Sequence, residues 1–224
     1  MAVHGRKRRL RGIEIVYEDD DLVVLEKSPG ILTQPAGRGS SGSGTSVEEA
    51  LSDYVRKGQM RSRKRVYLVH RLDRETSGVM MVAKTEAVQE YFRSRWHELT
   101  SKTYLARVEG RLQSESGKFE SFLAEDKNMR VHSTSVPGLG KSAVTRWRVV
   151  ENGPRPLVEV FLETGRKNQI RVHFSEAGHP VCGDAKYGRG DGRERLCLHS
   201  WRLSFIHPRT KREMSFETAR PSFA

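Results

Sequence analysis

Val66-Tyr67-Leu68-Val69-His70-Arg71-Leu72-Asp73-Arg74-Glu75-Thr76-Ser77-Gly78-Val79-Met80-Met81-Val82 carries the strongest constraint in this chain. The apolar runs Val66–Val69 and Val79–Val82 have strand length and strand composition, and both read as buried strands. Thr76-Ser77-Gly78 reads as a turn or bulge between them. Asp73 lies between Arg71 and Arg74, and neighbouring fixed positive charge favours an ionised carboxylate. Such a group serves as a nucleophile or as a stabiliser of a cationic sugar transition state. On a loop held by two strands, it stands where functional groups concentrate. On charge alone, a structural ion pair accounts for the same residues.

Upstream, Ile13–Tyr17 and Leu22–Leu25 read as strands around an acidic turn, Glu18 to Asp21. Residues 37–44 are Gly/Ser-rich. They contain a formal G-x-G-x-x-G from Gly37 to Gly42, but Pro35 and Ala36 precede it where a dinucleotide site needs an apolar strand. Thr45 to Glu48 fits a capping box. Val47, Ala50, Leu51, Tyr54 and Val55 follow at helical spacing. A second amphipathic helix after Thr85 carries Ala87, Val88, Tyr91, Phe92 and Trp96 on one side, a pattern of core packing rather than of a stacking platform. Strand patterns return at 103–108, 119–123, 143–150 and 157–162. A short helix fits 168–177, ended by Gly178, and strands at 196–205 and 213–216 close the chain. Many strands, few helices and hairpin-length connections predict an α+β fold with a largely antiparallel mixed sheet and flanking helices.

The 224 residues suffice for one sizeable core. Forty Lys and Arg against 28 Asp and Glu leave a net charge of +12, which favours a polyanionic partner, RNA first. The basic residues gather in an N-terminal arm, residues 1–12, and in a cluster with Arg56, Lys57, Arg61, Arg63, Lys64 and Arg65. A solvated charged loop explains the cluster in an average protein. Its position just ahead of Asp73 favours contacts to RNA phosphates by Arg61, Arg63, Lys64 and Arg65. Mean hydropathy is −0.65. No apolar run is long enough to span a bilayer and no secretory segment is evident, so the expectation is a cytoplasmic protein that makes no membrane contact. Two cysteines, no C-x-x-C and no H-E-x-x-H argue against a disulfide framework or a zinc site. His70, His173, His199 and His207, dispersed among apolar segments, read as structural.

The motifs narrow the reading further. His70-Arg71-Leu72-Asp73-Arg74-Glu75-Thr76-Ser77-Gly78 resembles the H-R-L-D-R-x-T-S-G motif of the RluA-type RNA pseudouridine synthases. Lys27-Ser28-Pro29-Gly30 is similar to that family's K-P-x-G, with Ser28 inserted. Residues 102–110 resemble K-x-Y-x-A-x-V-x-G, and residues 164–173 resemble T-G-R-x-H-Q-I-R-x-H. Gly183-Asp184-Ala185-Lys186-Tyr187-Gly188 resembles G-D-x-x-Y-G, and residues 198–208 resemble the closing L-H-x-x-x-L-x-F-x-H-P. The matches run in the family's order from about residue 20 to 208. One departure is clear: Asn168 stands where the family usually has His.

The resemblance implies the pseudouridine synthase fold, one catalytic domain over residues 13–224, an RNA-binding cleft across the sheet and no S4-like module. It implies isomerisation of uridine in ribosomal or transfer RNA, with no cofactor and no metal. Asp73 corresponds to the catalytic carboxylate, attacking the sugar or abstracting its 2′ proton. Tyr104 corresponds to the tyrosine that stacks on the base. Arg171 corresponds to the basic residue that orients the carboxylate. Ile170 would wall the base pocket, Arg71 would fill the stack vacated by a flipped base, and Arg74 joins them in binding substrate. A monomer is the default. A catalytically silent RNA-binding or ribosome-assembly protein of the same fold is the main alternative. A glycosidase needs a second carboxylate, and no partner stands out.

Overall fold

The computed structural model describes residues 8–10, 12–35, 45–57, 59, 62–136, 138–188 and 194–224. The chain divides into two compact units. The first comprises Met1–Thr100 and Arg202–Thr218, the second Ser101–Trp201 and Ala219–Ala224.

The first unit opens with strands β1 (Arg8–Leu10), β2 (Ile13–Glu18) and β3 (Leu22–Lys27), followed by helix α1 (Val47–Arg56). Strands β4 (Tyr67–Leu68) and β5 (Ser77–Ala83) come next, then helices α2 (Glu86–Ser94) and α3 (Trp96–Leu99). The pairs β1–β2, β2–β3, β3–β5 and β4–β5 are antiparallel. Asp19 builds the acidic turn between β2 and β3: its Oδ1 accepts the N–H groups of Asp21 and Leu22 at 2.8 and 2.9 Å, an Asx turn. Strands β3 and β5 are buried on both faces, which is why Leu22–Leu25 and Val79–Val82 are continuous apolar runs rather than alternating ones. Against one face, Leu22, Val24, Val79 and Met81 pack on Val88 and Phe92 of α2. The Phe92 ring stands edge-on to Phe205, centroids 5.9 Å apart.

Three details differ from the sequence reading, each for a local reason. Strand β4 covers only Tyr67 and Leu68, because the His70 imidazole takes the N–H of Met81 at 3.0 Å, a donor that a longer β4 would have used. Ser77 and Gly78 are the first residues of β5 rather than a turn, with Gly78 opposite Lys27 in the β3–β5 ladder. The capping box at α1 is Ser46 with Glu49, not Thr45 with Glu48. The N–H of Glu48 already donates to the Thr33 carbonyl, so Thr45 has nothing there to cap. The expected second helix begins at its Thr85 cap, with Val88 and Phe92 buried, Tyr91 and Trp96 packed beside them, and Ala87 exposed.

The second unit contains β6 (Thr100–Arg107) from Ser101 on, β7 (Ser116–Glu125), β8 (Val131–Thr134), β9 (Lys141–Glu151), β10 (Leu157–Leu162) and helix α4 (Gln169–Glu176). Its strands run antiparallel in the order β6-β10-β9-β7-β8. Strand β8, Val-His-Ser-Thr, has no apolar alternation and was not legible; its ladder with β7 makes it a strand. Strand β11 (Leu198–Ile206) belongs to the second unit up to Trp201 and to the first from Arg202, and β12 (Glu213–Glu217) pairs antiparallel with it. The architecture is α+β, with largely antiparallel sheet and few helices. Of the N-terminal arm, Arg8–Leu10 form β1 on β2, while residues 1–7 and 11 lie outside the described residues, as do Gly37–Gly44.

Among the described residues, no helix is long and apolar enough to cross a membrane. Asp19, Asp21 and His207 are the one group there with metal-ligand proximity. They already serve one another and their neighbours: His207 Nε2 lies 2.8 Å from Asp19, and Arg209 forks onto Asp21.

Burial drives the His199 imidazole down to about 4, and Arg195 acts in the same direction. The folded chain therefore binds fewer protons at this site than the unfolded chain, and the stabilisation is complete above the unfolded value and lost as pH falls through the folded one. The midpoint of urea unfolding should accordingly fall between about pH 7.5 and about pH 5, and His199→Gln should flatten that dependence. An equally steep dependence in His199→Gln would remove His199 as its cause.

Candidate active site

In the first unit, the loop carrying Asp73 is held on both sides. Thr33 Oγ1 donates to the Leu72 carbonyl at 2.7 Å and accepts the Leu72 N–H at 3.2 Å. The Gly30 N–H donates to the Arg74 carbonyl at 2.9 Å, and Arg74 Nε donates back to the Gly30 carbonyl at 3.1 Å. Gly30 has φ +84°, a backbone conformation that glycine adopts without strain. The Thr76 N–H closes a turn onto the Asp73 carbonyl at 3.1 Å. Upstream, Gln89 of α2 donates to the Leu68 carbonyl, and the His70 ring packs on Trp96 with centroids 4.8 Å apart.

Lys27 lies at the centre of these ties. Its side chain is fully buried at the end of β3. Its ammonium donates to the carbonyls of Ser28, Ile31 and Arg74 at 3.1, 2.9 and 3.0 Å. Three donors meet three carbonyls, so the loop entering α1 and the loop carrying Asp73 share one cation. Burial pushes the Lys27 amine down to about 8, against the opposing pull of the Glu75 and Asp73 carboxylates. Asp73 itself is half-buried, and Arg71 and Arg74 are exposed on either side of it.

In the second unit, Tyr104 is buried on β6 opposite Val160 of β10, and Ile170 and Arg171 are buried on α4. Arg171 forks onto Asp184: Nε to Oδ2 and Nη2 to Oδ1, both 2.7 Å. Asp184 Oδ1 also accepts the N–H groups of Lys186 and Tyr187, each at 2.9 Å. Burial works to raise the Asp184 carboxyl, but the guanidinium and the two N–H groups outweigh it and hold the acid below its ordinary range. Gly183 precedes it with φ +72°, and a Cβ there would lie 2.1 Å from the Arg195 carbonyl oxygen, so no larger residue fits. The Lys102 side chain, two residues before Tyr104 on β6, is buried with its amine against Gly165, and burial pushes that amine down to about 8.

The family model for RNA pseudouridylate synthase matches residues 21–176. The chain belongs to the RNA pseudouridylate synthase family. It is 37% identical over 223 residues to the ribosomal large subunit pseudouridine synthase D of Neisseria meningitidis serogroup A, covering 93% of this chain and 58% of that protein. An uncharacterised RNA pseudouridine synthase of Bacillus subtilis is 37% identical over 213 residues, covering 93% of this chain and 73% of that one. The chain therefore spans a little under three-fifths of the Neisseria relative's length. Among solved structures, human RNA pseudouridylate synthase domain containing 1 superposes with a TM-score of 0.71 at 25% identity, over 93% of this chain and 84% of that one. The human domain-containing-4 protein gives 0.73 at 24% identity, over 93% and 89%.

For this pseudouridylate synthase family member, the expected residues fall into two sets. Arg71, Asp73 and Arg74 share the pinned loop of the first unit, and Tyr104, Ile170 and Arg171 lie in the second. Of the basic cluster, Arg63, Lys64 and Arg65 are exposed ahead of β4, and Arg61 lies outside the described residues. Arg65 pairs with Glu86 at 3.2 Å and covers the Tyr67 ring, and Arg56 Nε donates to the Lys64 carbonyl. Sequence reasoning assigned no role to Lys27, Asp184 or Tyr187. All three sit in stretches quoted only for their resemblance, and nothing short of the fold says that the Lys27 amine points at three carbonyls. An open concavity of about 500 Å³ in the second unit, lined by Lys141, Arg166 and Lys167, was also not foreseen.

Replacing Lys27 by Met should leave three carbonyls short of a donor, at about 1–3 kcal/mol for a buried group left unsatisfied. The expected result is a melting temperature lower by several degrees and faster amide hydrogen exchange at Gly30, Leu72 and Thr76. Wild-type exchange at those three amides would show that the lysine does not hold the loop.

Proposed function

We propose that this chain is an RNA pseudouridine synthase that isomerises specific uridines, with Asp73 as the catalytic carboxylate. The observation that carries the reading is the loop at Asp73: backbone ties fix it from both sides while the carboxylate remains half-exposed. A reacting group benefits from such preorganisation, which a surface ion pair does not need. In the reaction, the bond between uracil N1 and C1′ breaks, the base turns, C5 bonds to C1′, the C5 proton leaves and N1 takes up a proton in its place. Atoms and electrons balance within the nucleotide, so the chemistry calls for no cofactor.

Tyr104 would stack on the base, Ile170 would wall it, and Arg171 would orient the carboxylate. With its guanidinium already fixed by Asp184, Arg171 offers an oriented donor edge. Residues 13–224 would then be one catalytic domain, as the resemblance implies. Arg71 would fill the gap left by the flipped base, at a flipping cost of a few kcal/mol, and Arg74 would also touch the substrate. Arg61, Arg63, Lys64 and Arg65 would track phosphates, consistent with the net charge of +12. Ribosomal RNA is the target class we favour, because the Neisseria relative carries that designation; transfer RNA is the second candidate. We also read the protein as cytoplasmic and monomeric.

Tritium release from RNA labelled at uridine C5 tests this directly. Asp73→Asn keeps the shape and removes the charge. It should cut release by on the order of a hundredfold or more, with melting temperature and RNA affinity nearly unchanged. Turnover of Asp73→Asn within about tenfold of wild type would sink the assignment. RNA binding by the wild type with no release from any RNA would favour a silent binding protein instead.

A further inference from the structure

We propose that Asn168 is a positioning residue that holds the Arg171 guanidinium directly and is itself anchored by Tyr187. The inference rests on the reading of Arg171 as part of the catalytic set. Asn168 is the N-cap residue of α4, yet its side chain makes no capping bond. Its backbone is left-handed, φ 54° and ψ 17°. Asn is among the few non-glycine residues that tolerate this region. The buried amide is used sideways instead. Its Oδ1 accepts from Arg171 Nη1 at 3.2 Å, and its Nδ2 donates to the Tyr187 hydroxyl at 3.0 Å. A guanidinium only donates, so this amide orientation is the one the chemistry permits.

Tyr187 is in turn held at both ends. Its hydroxyl accepts the N–H of Val131, the first residue of β8, at 3.0 Å. Its own N–H donates to Asp184. Its ring lies beneath the Arg171 guanidinium, 5.2 Å from centroid to Cζ. Asp184 alone fixes two guanidinium nitrogens in one plane. Asn168 binds the third and is itself fixed to β8 through the tyrosine. The guanidinium therefore has neither a free rotation about Cδ–Nε nor a free tilt out of the carboxylate plane. An amide does this without titrating. A histidine at 168 would do it only while neutral, since an imidazolium has no acceptor for Arg171.

Two variants isolate the role. Asn168→Gly deletes the side chain without strain, because glycine accepts φ 54° where alanine would not. Asn168→His keeps a residue type that tolerates the same backbone and makes the tether titratable. The charged groups around this cluster are Arg171, paired to Asp184; Lys186 and Arg130, both over the Tyr187 ring; and Lys167, paired to Glu125. Four cations against two carboxylates favour the neutral imidazole, so it should protonate at or below about pH 6.5.

Tritium release by the full chain is measured with Arg171→Lys in parallel. Asn168→Gly should lower kcat by on the order of tenfold with KM and melting temperature little changed, the loss expected when a positioned group drifts. Asn168→His should match wild type near about pH 8.5 and lose activity below about pH 6.5 more steeply than wild type. A purely structural amide would lower the melting temperature and leave kcat and the pH profile alone. Arg171→Lys impaired while Asn168→Gly keeps wild-type kcat would overturn this inference and spare the reading beneath it. Arg171→Lys fully active would overturn both. Should Asn168→Gly fail to fold, the pH profile of Asn168→His decides: a profile superimposable on wild type rejects the tether.

Discussion

A buried ammonium with three carbonyl partners is the constraint on which the geometry of the Asp73 loop depends. Lys27 is desolvated far enough to pull its amine down to about 8, so the cation is held at a cost. That cost is recovered only if the carbonyls of Ser28, Ile31 and Arg74 stay where they are. The loop after β3 and the loop before β5 are thus tied to a point rather than merely packed. Gly30 and Thr33 add reciprocal ties to Arg74 and Leu72. Asp73 lies inside the span that these bonds define, which explains how a loop can hold a side chain as a strand or helix would.

The second unit solves a different problem, that of keeping an arginine buried and aimed. Its Arg171–Asp184 pair has the carboxylate fully out of water. A buried pair contributes little net stability but is costly to break, on the order of 3–5 kcal/mol when one partner is removed. Removing Arg171 outright would leave Asp184 uncompensated, so Arg171→Lys, which keeps the charge and loses the fork, is the cleaner probe of chemistry. The same pair explains the motif around Gly183: the tight turn presents two N–H groups to the carboxylate that the arginine must meet.

The α+β class and most elements were legible because β3 and β5 are apolar on both faces and α2 on one. The Asp73 loop was legible because nine consecutive residues resemble one motif. The losses have physical causes. The end of β4 is set by a side chain, His70, competing for a backbone donor. The α1 cap was displaced by one residue because Leu32 and Thr33 carbonyls, distant in no obvious sequence pattern, take the first N–H groups. Strand β8 has no periodicity of its own and exists by pairing. In the site, Asp73, Tyr104 and Arg171 were named from resemblance. Lys27, Asn168 and Tyr187 make contacts that only a fold creates, and in the sequence Asn168 shows only a departure from the family pattern.

The most direct test of the account is to map pseudouridine at nucleotide resolution in total RNA incubated with the purified protein, beside an Asp73→Asn control. A small, reproducible set of uridines should be converted by the wild type and none of them by the variant. RNA that is bound but unconverted by the wild type, or the same uridines converted by both proteins, would contradict it.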